Sequence, residues 1–221
     1  MQKLILIHLI LFLTSNINAQ DKIDLNKIKL ATQDSLSEYY YPKLVKEFSA
    51  APEYFPLTKG RFLYYGYIYS PTYKVYDFSK DRREFDKFLD KRNWKKSIPL
   101  GEKILLENPV DIQILNKLAF CYKENNELEK AALLKERAHV LYRVILSSGE
   151  GESKESCYKI ITIGDEYIIM AGEGIKGISR QSERKENSVM DIWTIKDPKS
   201  NQEKRLYFEL VQNMEAMPKF K

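Results

Sequence analysis

Histidine is almost missing from this chain of 221 residues, which contains only His8 and His139. His8 lies in the N-terminal hydrophobic segment, so we expect His139 to be the one imidazole of the folded protein. Histidine is the usual general base of hydrolytic triads and the commonest protein ligand of transition metals. We therefore predict no catalytic residue, no metal site and no bound cofactor. We expect His139 to be a surface residue rather than half of a Cys157–His139 nucleophile pair.

Cysteine is equally rare, with one residue at position 121 and one at position 157. In an oxidising compartment Cys121 and Cys157 could form a disulfide bond, and otherwise they would be two buried thiols. The sequence does not show whether their Cα atoms lie within bridging distance, so both alternatives stay open.

Long hydrophobic runs are absent as well. The longest, Leu4 to Leu13, follows the basic start Met1-Gln2-Lys3 and precedes the small residue Ala19. A short basic segment, an apolar stretch of this length and a small residue at its end are typical of a secretory signal peptide. We predict cleavage after Ala19 and a soluble exported protein, periplasmic or extracellular, without a membrane span. An uncleaved anchor is the alternative.

The charges form no long block of one sign. The chain carries 36 Lys and Arg against 31 Asp and Glu, and loss of Lys3 with the signal leaves 35 − 31 = +4. Positive and negative residues alternate, whereas a nucleic-acid surface needs basic residues clustered on one face. We expect no nucleic-acid partner. The carboxylates, among them Asp165, Glu166 and Asp191, show no spacing typical of an acid/base pair, so we expect surface or capping roles for them.

Two glycine-rich segments match phosphate-binding loops only in part. Residues 172–177 read Gly-Glu-Gly-Ile-Lys-Gly, which fits the GxGxxG pattern of dinucleotide-binding folds. That pattern belongs after the first strand of a parallel βαβ unit, but here too little chain follows it for such a fold. Residues 149–153, Gly-Glu-Gly-Glu-Ser, lack the Gly-Lys-Ser/Thr ending of a P-loop. We predict turns at both places.

Helical periodicity dominates the chain up to residue 147. Thr58, Asn93 and Asp111 are the expected N-caps of three helices, and Pro99 predicts a kink or a later start in the second of these. Residues 21–29 are polar and are expected to fray. The predicted helices cover residues 42–48, 58–69, 94–107, 112–125 and 127–146, with a short amphipathic stretch around 85–89.

Beyond residue 147 the pattern changes to β-branched residues and period-two alternation. Residues 157–163 and 189–195 are predicted strands, and residues 205–211 are the expected antiparallel partner of the second. Residues 165–171 suit a short helix or a strand. We predict an α+β fold of antiparallel helix pairs followed by a small, mainly antiparallel sheet. Its parts are a signal peptide (1–19), a helical region (20–147) and a β-rich subdomain packed on the helices (148–221).

Tyrosine is abundant, with 15 residues, six of them between positions 64 and 76. A tyrosine side chain combines rigid apolar area with a polar group, so tyrosine clusters are common in binding surfaces. On a helix, however, about half of them face the core. A packing role and a binding face for a peptide or glycan both stay open. The candidate face consists of Tyr64, Tyr67, Tyr73 and Tyr76.

Residues 93–143 resemble one and a half tetratricopeptide repeats. The residues that carry the match are Trp94, Pro109, Leu115, Leu118, Ala119, Tyr122, Ala131 and Ala138. Gly101 and Lys135 depart from the repeat, in which bulky aromatics are commoner at those positions. Residues 62–69 show the same aromatic/small spacing once more. The resemblance implies antiparallel helix pairs and a role in binding a protein.

Five short stretches carry a second resemblance, and they lie at residues 39–44, 63–67, 108–109, 147–151 and 165–167. Through them the mature chain is similar to an uncharacterised family of exported bacterial proteins, a domain-of-unknown-function family. The resemblance implies export and this architecture. It transfers no functional residue, because the family has no established activity.

These observations favour a non-catalytic interaction protein of the cell envelope, whose helix pairs bind an unknown protein or peptide. The sheet would cap the repeats, since an open repeat end exposes apolar surface. The alternative is an envelope hydrolase or a carbohydrate-binding protein that uses carboxylates and the tyrosine-rich face. Two close carboxylates in a cleft, one with a raised pKa, would favour that alternative. A purely structural role also stays open, and the sequence predicts no oligomeric state.

Overall fold

The computed structural model describes residues 23–184, 188–198 and 200–212. Within these ranges the chain forms eight α-helices and one four-stranded sheet, which confirms the predicted α+β class. The predicted signal peptide, residues 1–19, lies outside the described residues. None of the described helices has the length and apolar character that a membrane span requires.

Seven helices precede the first strand. The helices are α1 Leu25–Gln33, α2 Tyr41–Ala50, α3 Leu57–Gly66, α4 Lys80–Asp90, α5 Trp94–Glu107, α6 Ile112–Glu124, α7 Leu128–Leu146 and α8 Gly164–Gly172. Short 3₁₀ turns at Pro52–Tyr54 and Tyr67–Tyr69 follow α2 and α3. The strands are β1 Tyr158–Ile160, β2 Lys176–Arg184, β3 Ser188–Lys196 and β4 Glu203–Val211.

Side-chain caps fix where several helices begin. Four residues accept a hydrogen bond from the backbone N–H three positions later, namely Asp24, Ser79, Asn93 and Asp111. Each bond satisfies one of the N–H groups that the first turn of a helix leaves without a partner. The predicted caps Asn93 and Asp111 are thereby confirmed. Because α5 begins directly after Asn93, the alternative of a later start caused by Pro99 is wrong.

Two local predictions are wrong, and for a third segment the structure decides between two alternatives. Thr58 is the second residue of α3, which begins after Pro56, so it is not an N-cap. Residues 25–29, where fraying was expected, belong to α1, because the Asp24 cap and the buried side chains of Ile28 and Thr32 hold this helix. For residues 165–171 the helical alternative is confirmed, since they lie in α8.

The sheet has the strand order β1-β4-β3-β2. The pairing of β3 with β4 is antiparallel, as predicted, and β2 also pairs antiparallel with β3. β1 pairs with β4 in parallel, with Tyr158 opposite Phe208. The sequence did not predict β2, because its residues are almost all exposed and lack alternation. β1 covers only three of the seven predicted residues.

One hydrophobic core joins the helices to the sheet. It includes Leu118 of α6 and Leu141 of α7 together with Ile160 of β1, Trp193 of β3 and Phe208 of β4. The alternation in β3 sends Trp193 toward the helices, while Met190 and Ile192 lie in a small second cluster on the opposite face. The two faces of β3 are therefore both buried.

Candidate functional site

The four tyrosines of the predicted binding face lie in different environments. Tyr64 and Tyr67 are only 0% and 2% exposed, Tyr73 is half-buried, and Tyr76 is 56% exposed. A binding face of all four residues is therefore wrong, because the helical turns at Tyr64 and Tyr67 direct both rings into the core. Tyr73 also bonds inward, since its hydroxyl donates to the carbonyl of Ile161 at 3.0 Å.

The buried tyrosine hydroxyls connect α3 to the segment around β1 and α8. The Tyr64 hydroxyl donates to Oδ2 of Asp165 at 2.8 Å and accepts from the backbone N–H of Ile161 at 3.2 Å. The Tyr65 hydroxyl donates to the carbonyl of Lys159 at 3.0 Å. These bonds satisfy polar groups in the core, so the helical and β-rich parts depend on each other.

Asp165 is a buried carboxyl group rather than a surface residue. Its Oδ2 also accepts from the backbone N–H and the hydroxyl of Thr162, at 3.2 Å and 2.9 Å. Burial raises the pKa of Asp165 to about 7, although hydrogen bonds from Tyr64 and Thr162 favour the charged form. Asp165 therefore changes its protonation near neutral pH.

A second group, the inner carboxylate cluster, consists of the buried residues Glu166, Asp191 and Trp193 and the exposed residues Arg180 and Ser182. Trp193 Nε1 donates to Glu166 Oε2 at 2.7 Å, and the Ser182 hydroxyl donates to Asp191 Oδ1. Nη1 of Arg180 lies 3.5 Å from Glu166 Oε2 and 3.8 Å from Asp191 Oδ2. The expected surface roles of Glu166 and Asp191 are wrong, because these side chains join α8 to β2 and β3.

The two carboxyl groups of this cluster share one proton. Glu166 Oε1 and Asp191 Oδ2 are both buried without a hydrogen bond if both groups are ionised. A proton on Glu166 supplies the missing donor for Asp191. Burial, and then this hydrogen bond to Asp191, raises the pKa of Glu166 to about 8. Such a pair resembles an acid/base site, but the two side chains are 0% and 1% exposed, so a substrate has no access to them.

The two cysteines and His139 lie apart in the fold. Cys121 is buried in the main core on α6, whereas Cys157 is buried before β1 against Met190 and Ile192. The structure thus contains two buried thiols with no disulfide between them. Burial raises the pKa of Cys121 to about 11, which makes it a poor nucleophile. His139 is exposed on α7, as predicted.

The GxGxxG segment forms a turn between α8 and β2, as predicted. Gly172 ends α8, Gly174 has a φ of 66°, and Gly177 lies in β2. At Gly177 a Cβ atom would come within 2.6 Å of the Trp193 ring, so close packing requires glycine there. A helix–turn–strand arrangement is the reverse of the strand–turn–helix that binds a dinucleotide. Across the described ranges, no group of three or more His, Cys, Asp or Glu side chains is placed to hold a metal ion.

A further candidate site is a groove in the helical half, which we call the helical groove. It lies between α2, α5, α6 and α7 and has a volume of about 610 Å³. Its lining is mostly apolar and includes Phe48, Leu105, Leu118 and Leu134. Apolar grooves with a few polar groups are the usual form of binding sites. This groove is therefore the candidate functional site.

Arg137 is the polar residue that distinguishes the helical groove. One terminal nitrogen of its guanidinium donates to the carbonyl of Ser49, whereas Nε is buried without a hydrogen bond. Burial lowers the pKa of Arg137. A guanidinium has five N–H groups and this side chain is only partly buried, so the groove is suited to a ligand that supplies an acceptor.

Sequence reasoning missed Arg137 and the Glu166–Asp191 pair. No local signal marks Arg137, which lies next to Ala138 on a helix with many charges. Asp191 had a signal, because it alternates with Trp193 on the strand face that is turned to the core. A charged residue on a buried strand face needs a partner, and that rule predicts a buried network here.

The fold and the groove define an α+β protein whose helical half contains an apolar groove. The chain belongs to the family described as Domain of unknown function (DUF4919), whose model matches residues 26–219. That description states no activity. No curated protein and no solved structure matches the chain. The tetratricopeptide resemblance and the exported character of the family stay predictions.

Proposed function

We propose that this protein is an exported, non-catalytic binding protein of the cell envelope. Its helical groove would bind a segment of a partner protein that presents apolar side chains and one carboxylate. The N-terminal basic and apolar segment supports export, and the mostly buried carboxyl groups of the inner cluster support a role other than catalysis.

The apolar part of this specificity follows from the lining of the groove. Leucine side chains from three helices lie along it, and Leu106 at its border is 86% exposed. Exposed apolar surface of this kind is typical of protein-binding sites. Two or three aliphatic side chains of a partner would cover it.

The carboxylate part of the proposal rests on Arg137, whose partly buried side chain lines the groove and carries more N–H donors than the one bonded to Ser49. A guanidinium binds a carboxylate through two parallel hydrogen bonds, which a neutral acceptor cannot provide. Lys130 on the same helix adds a positive charge, although it already pairs with Glu127 at 2.7 Å. An acidic residue or a C-terminal carboxylate of the partner segment suits the part of the helical groove that Arg137 and Lys130 line.

A peptide-display selection against residues 20–221 tests this proposal. Each selected peptide is compared by fluorescence polarisation with a copy in which its carboxylate is an amide. We expect the amide copy and the Arg137→Gln variant each to weaken binding by about tenfold or more. Arg143→Gln changes an exposed arginine of the same helix and should leave the affinity unchanged.

Selected peptides without an acidic group, or equal affinity for Arg137→Gln and wild type, would contradict the carboxylate specificity. Because Arg137→Gln also removes the bond to Ser49, its melting temperature is measured alongside. The peptide amides test the same contact without changing the protein. Concentration-dependent dimerisation through this groove, seen by sedimentation, would assign it to a second copy instead.

Export is tested separately by fractionating cells that express the full chain. We expect the envelope or medium fraction to contain a protein whose N-terminal residue is Gln20. An intact Met1 in the membrane fraction would support the uncleaved anchor instead.

A further inference from the structure

Two exposed aromatic side chains lie together in the segment before α4. Tyr76 and Phe78 are 56% and 75% exposed, and their rings are nearly parallel, 8° apart with centroids separated by 5.8 Å. Paired exposed rings leave apolar area in water, which is typical of a contact surface. We call these two residues the aromatic pair.

A polar cleft with a volume of about 170 Å³ lies beside the aromatic pair. The cleft is enclosed by the segment 74–78, the N-terminal turns of α4 and α6, and residues 162–165. Four separate segments thus surround it, and the aromatic pair forms one side. The helical groove lies elsewhere, between α2, α5, α6 and α7.

Another part of the cleft lining, which we call the wall, consists of fixed hydrogen-bonding groups. Nη1 of Arg82 bonds to Asp111 Oδ2, and Nη2 donates to Gln113 Oε1 at 2.7 Å. Nε2 of Gln113 in turn donates to the carbonyl of Gly164 at 3.3 Å. A guanidinium has five N–H donors, so these two bonds leave further donors for a ligand. The wall is pre-organised, which lowers the entropy cost of binding.

We propose that the aromatic pair and this cleft bind one sugar ring of a neutral saccharide. A pyranose has a face of C–H groups and an edge of hydroxyl groups, each of which donates and accepts hydrogen bonds. Because the two rings stack on each other, the C–H face would lie on one outward ring face of the aromatic pair, and the hydroxyl edge would contact the wall formed by Arg82, Asp111 and Gln113. An apolar face beside a polar wall matches this division.

Charge in the cleft favours a neutral ligand. Arg82 is already paired with Asp111, so its positive charge is compensated. An anion such as phosphate would meet the carboxyl groups of Asp77 and Asp165, which also line the cleft. A cation would meet Lys74. A proline-rich peptide would stack on the rings but would leave most donors of the wall without partners.

Saturation-transfer NMR with glucose, galactose, N-acetylglucosamine and their soluble oligomers tests this inference on residues 20–221. We expect at least one of these saccharides to bind and to receive saturation on its ring C–H protons. The double variant Tyr76→Ala/Phe78→Ala should weaken that binding by about tenfold or more, as expected for loss of aromatic contact area. Tyr76→Phe keeps the ring and should bind like wild type.

Both substituted side chains are exposed, so the double variant is expected to fold, and its circular dichroism spectrum checks this. Leu106→Ala removes an exposed apolar side chain at the helical groove and should leave saccharide binding unchanged. The inference is overturned if no saccharide of the panel binds at up to about 10 mM. It is also overturned if the double variant binds like wild type, or if a proline-rich peptide binds the pair and no saccharide does.

Discussion

The proton shared by Glu166 and Asp191 makes the stability of this protein depend on pH. Burial and the bond to Asp191 raise the pKa of Glu166 from its ordinary value of 4.5 to about 8. The folded state therefore binds this proton more tightly than the unfolded chain does. The stability that it contributes is complete below pH 4.5 and is lost as the pH rises through about 8.

The size of this effect follows from the shift in the pKa. One pKa unit corresponds to about 1.4 kcal/mol, so the change at Glu166 corresponds to about 5 kcal/mol over its whole range. Asp165, whose pKa burial raises from 3.8 to about 7, adds a second proton with the same sign. We expect the free energy of unfolding to fall by ~2.7 kcal/mol per pH unit from about pH 5 to pH 7, and by about half of that from pH 7 to pH 8. These losses are large beside the ~5–15 kcal/mol that stabilises a typical domain.

Glu166→Gln separates the contribution of this residue from the rest. The amide oxygen can accept from Trp193 Nε1, and the amide nitrogen can donate to Asp191, as protonated Glu166 does. The variant therefore keeps the bonds of the protonated state but has no proton to lose. Glu136→Gln, which changes an exposed carboxylate on α7, is the matched control.

Urea unfolding followed by far-UV circular dichroism at half-unit steps from about pH 5 to pH 8 measures the slopes. We expect the slope of Glu166→Gln between pH 5 and pH 7 to be about half that of wild type and of Glu136→Gln. Its stability at pH 8 should exceed that of wild type. Equal slopes for all three proteins would refute the shared proton.

Further outcomes follow from the packing of the core. Gly101→Ala would place a methyl group 2.9 Å from Leu118 and Phe85, so we expect a loss of ~1–3 kcal/mol in urea unfolding, and an unchanged midpoint would contradict this packing. Tyr64→Phe removes the hydroxyl that donates to Asp165 and accepts from the backbone N–H of Ile161. We expect thermal unfolding to show a loss of ~1–3 kcal/mol in the free energy of unfolding, and a change below about 0.5 kcal/mol would count against these bonds. Truncation after Ser147 should give an aggregated or molten fragment that binds a hydrophobic dye, whereas a soluble fragment with cooperative melting would show that the helices fold alone.

Local features of this fold could be predicted from the sequence. Asn93 and Asp111 cap the helices that follow them, because a cap depends only on residues within one turn. The strand at 189–195 was predictable because successive side chains of a strand point to opposite faces, so that a period of two in the sequence indicates a strand. Even its charged residue, Asp191, lies on the face that the alternation assigns to the core.

Long-range contacts could not be predicted in the same way. Glu166 and Asp191 are 25 positions apart (191 − 166), and nothing near either residue indicates that α8 crosses β3 at this point. Tyr64 and Tyr76 lie in one tyrosine-rich window, yet the first is buried and the second exposed, because the helix ends between them. Residues 176–184 form a strand through backbone pairing with β3 rather than through burial of side chains, so they carry little hydrophobic signal.

The parallel pairing of β1 with β4 has a consequence for the order in which the chain folds. Tyr158 pairs with Phe208, so the two strands are separated by 50 residues of chain (208 − 158). Closing so long a loop costs conformational entropy, whereas the local contacts within and between neighbouring helices close only short loops. We therefore expect the pairing of β1 with β4 to form late in folding. A chain that ends before residue 203 contains all eight described helices but lacks β4, which lies between β1 and β3 in the described sheet. During synthesis, this sheet can therefore be completed only after β4 has left the ribosome.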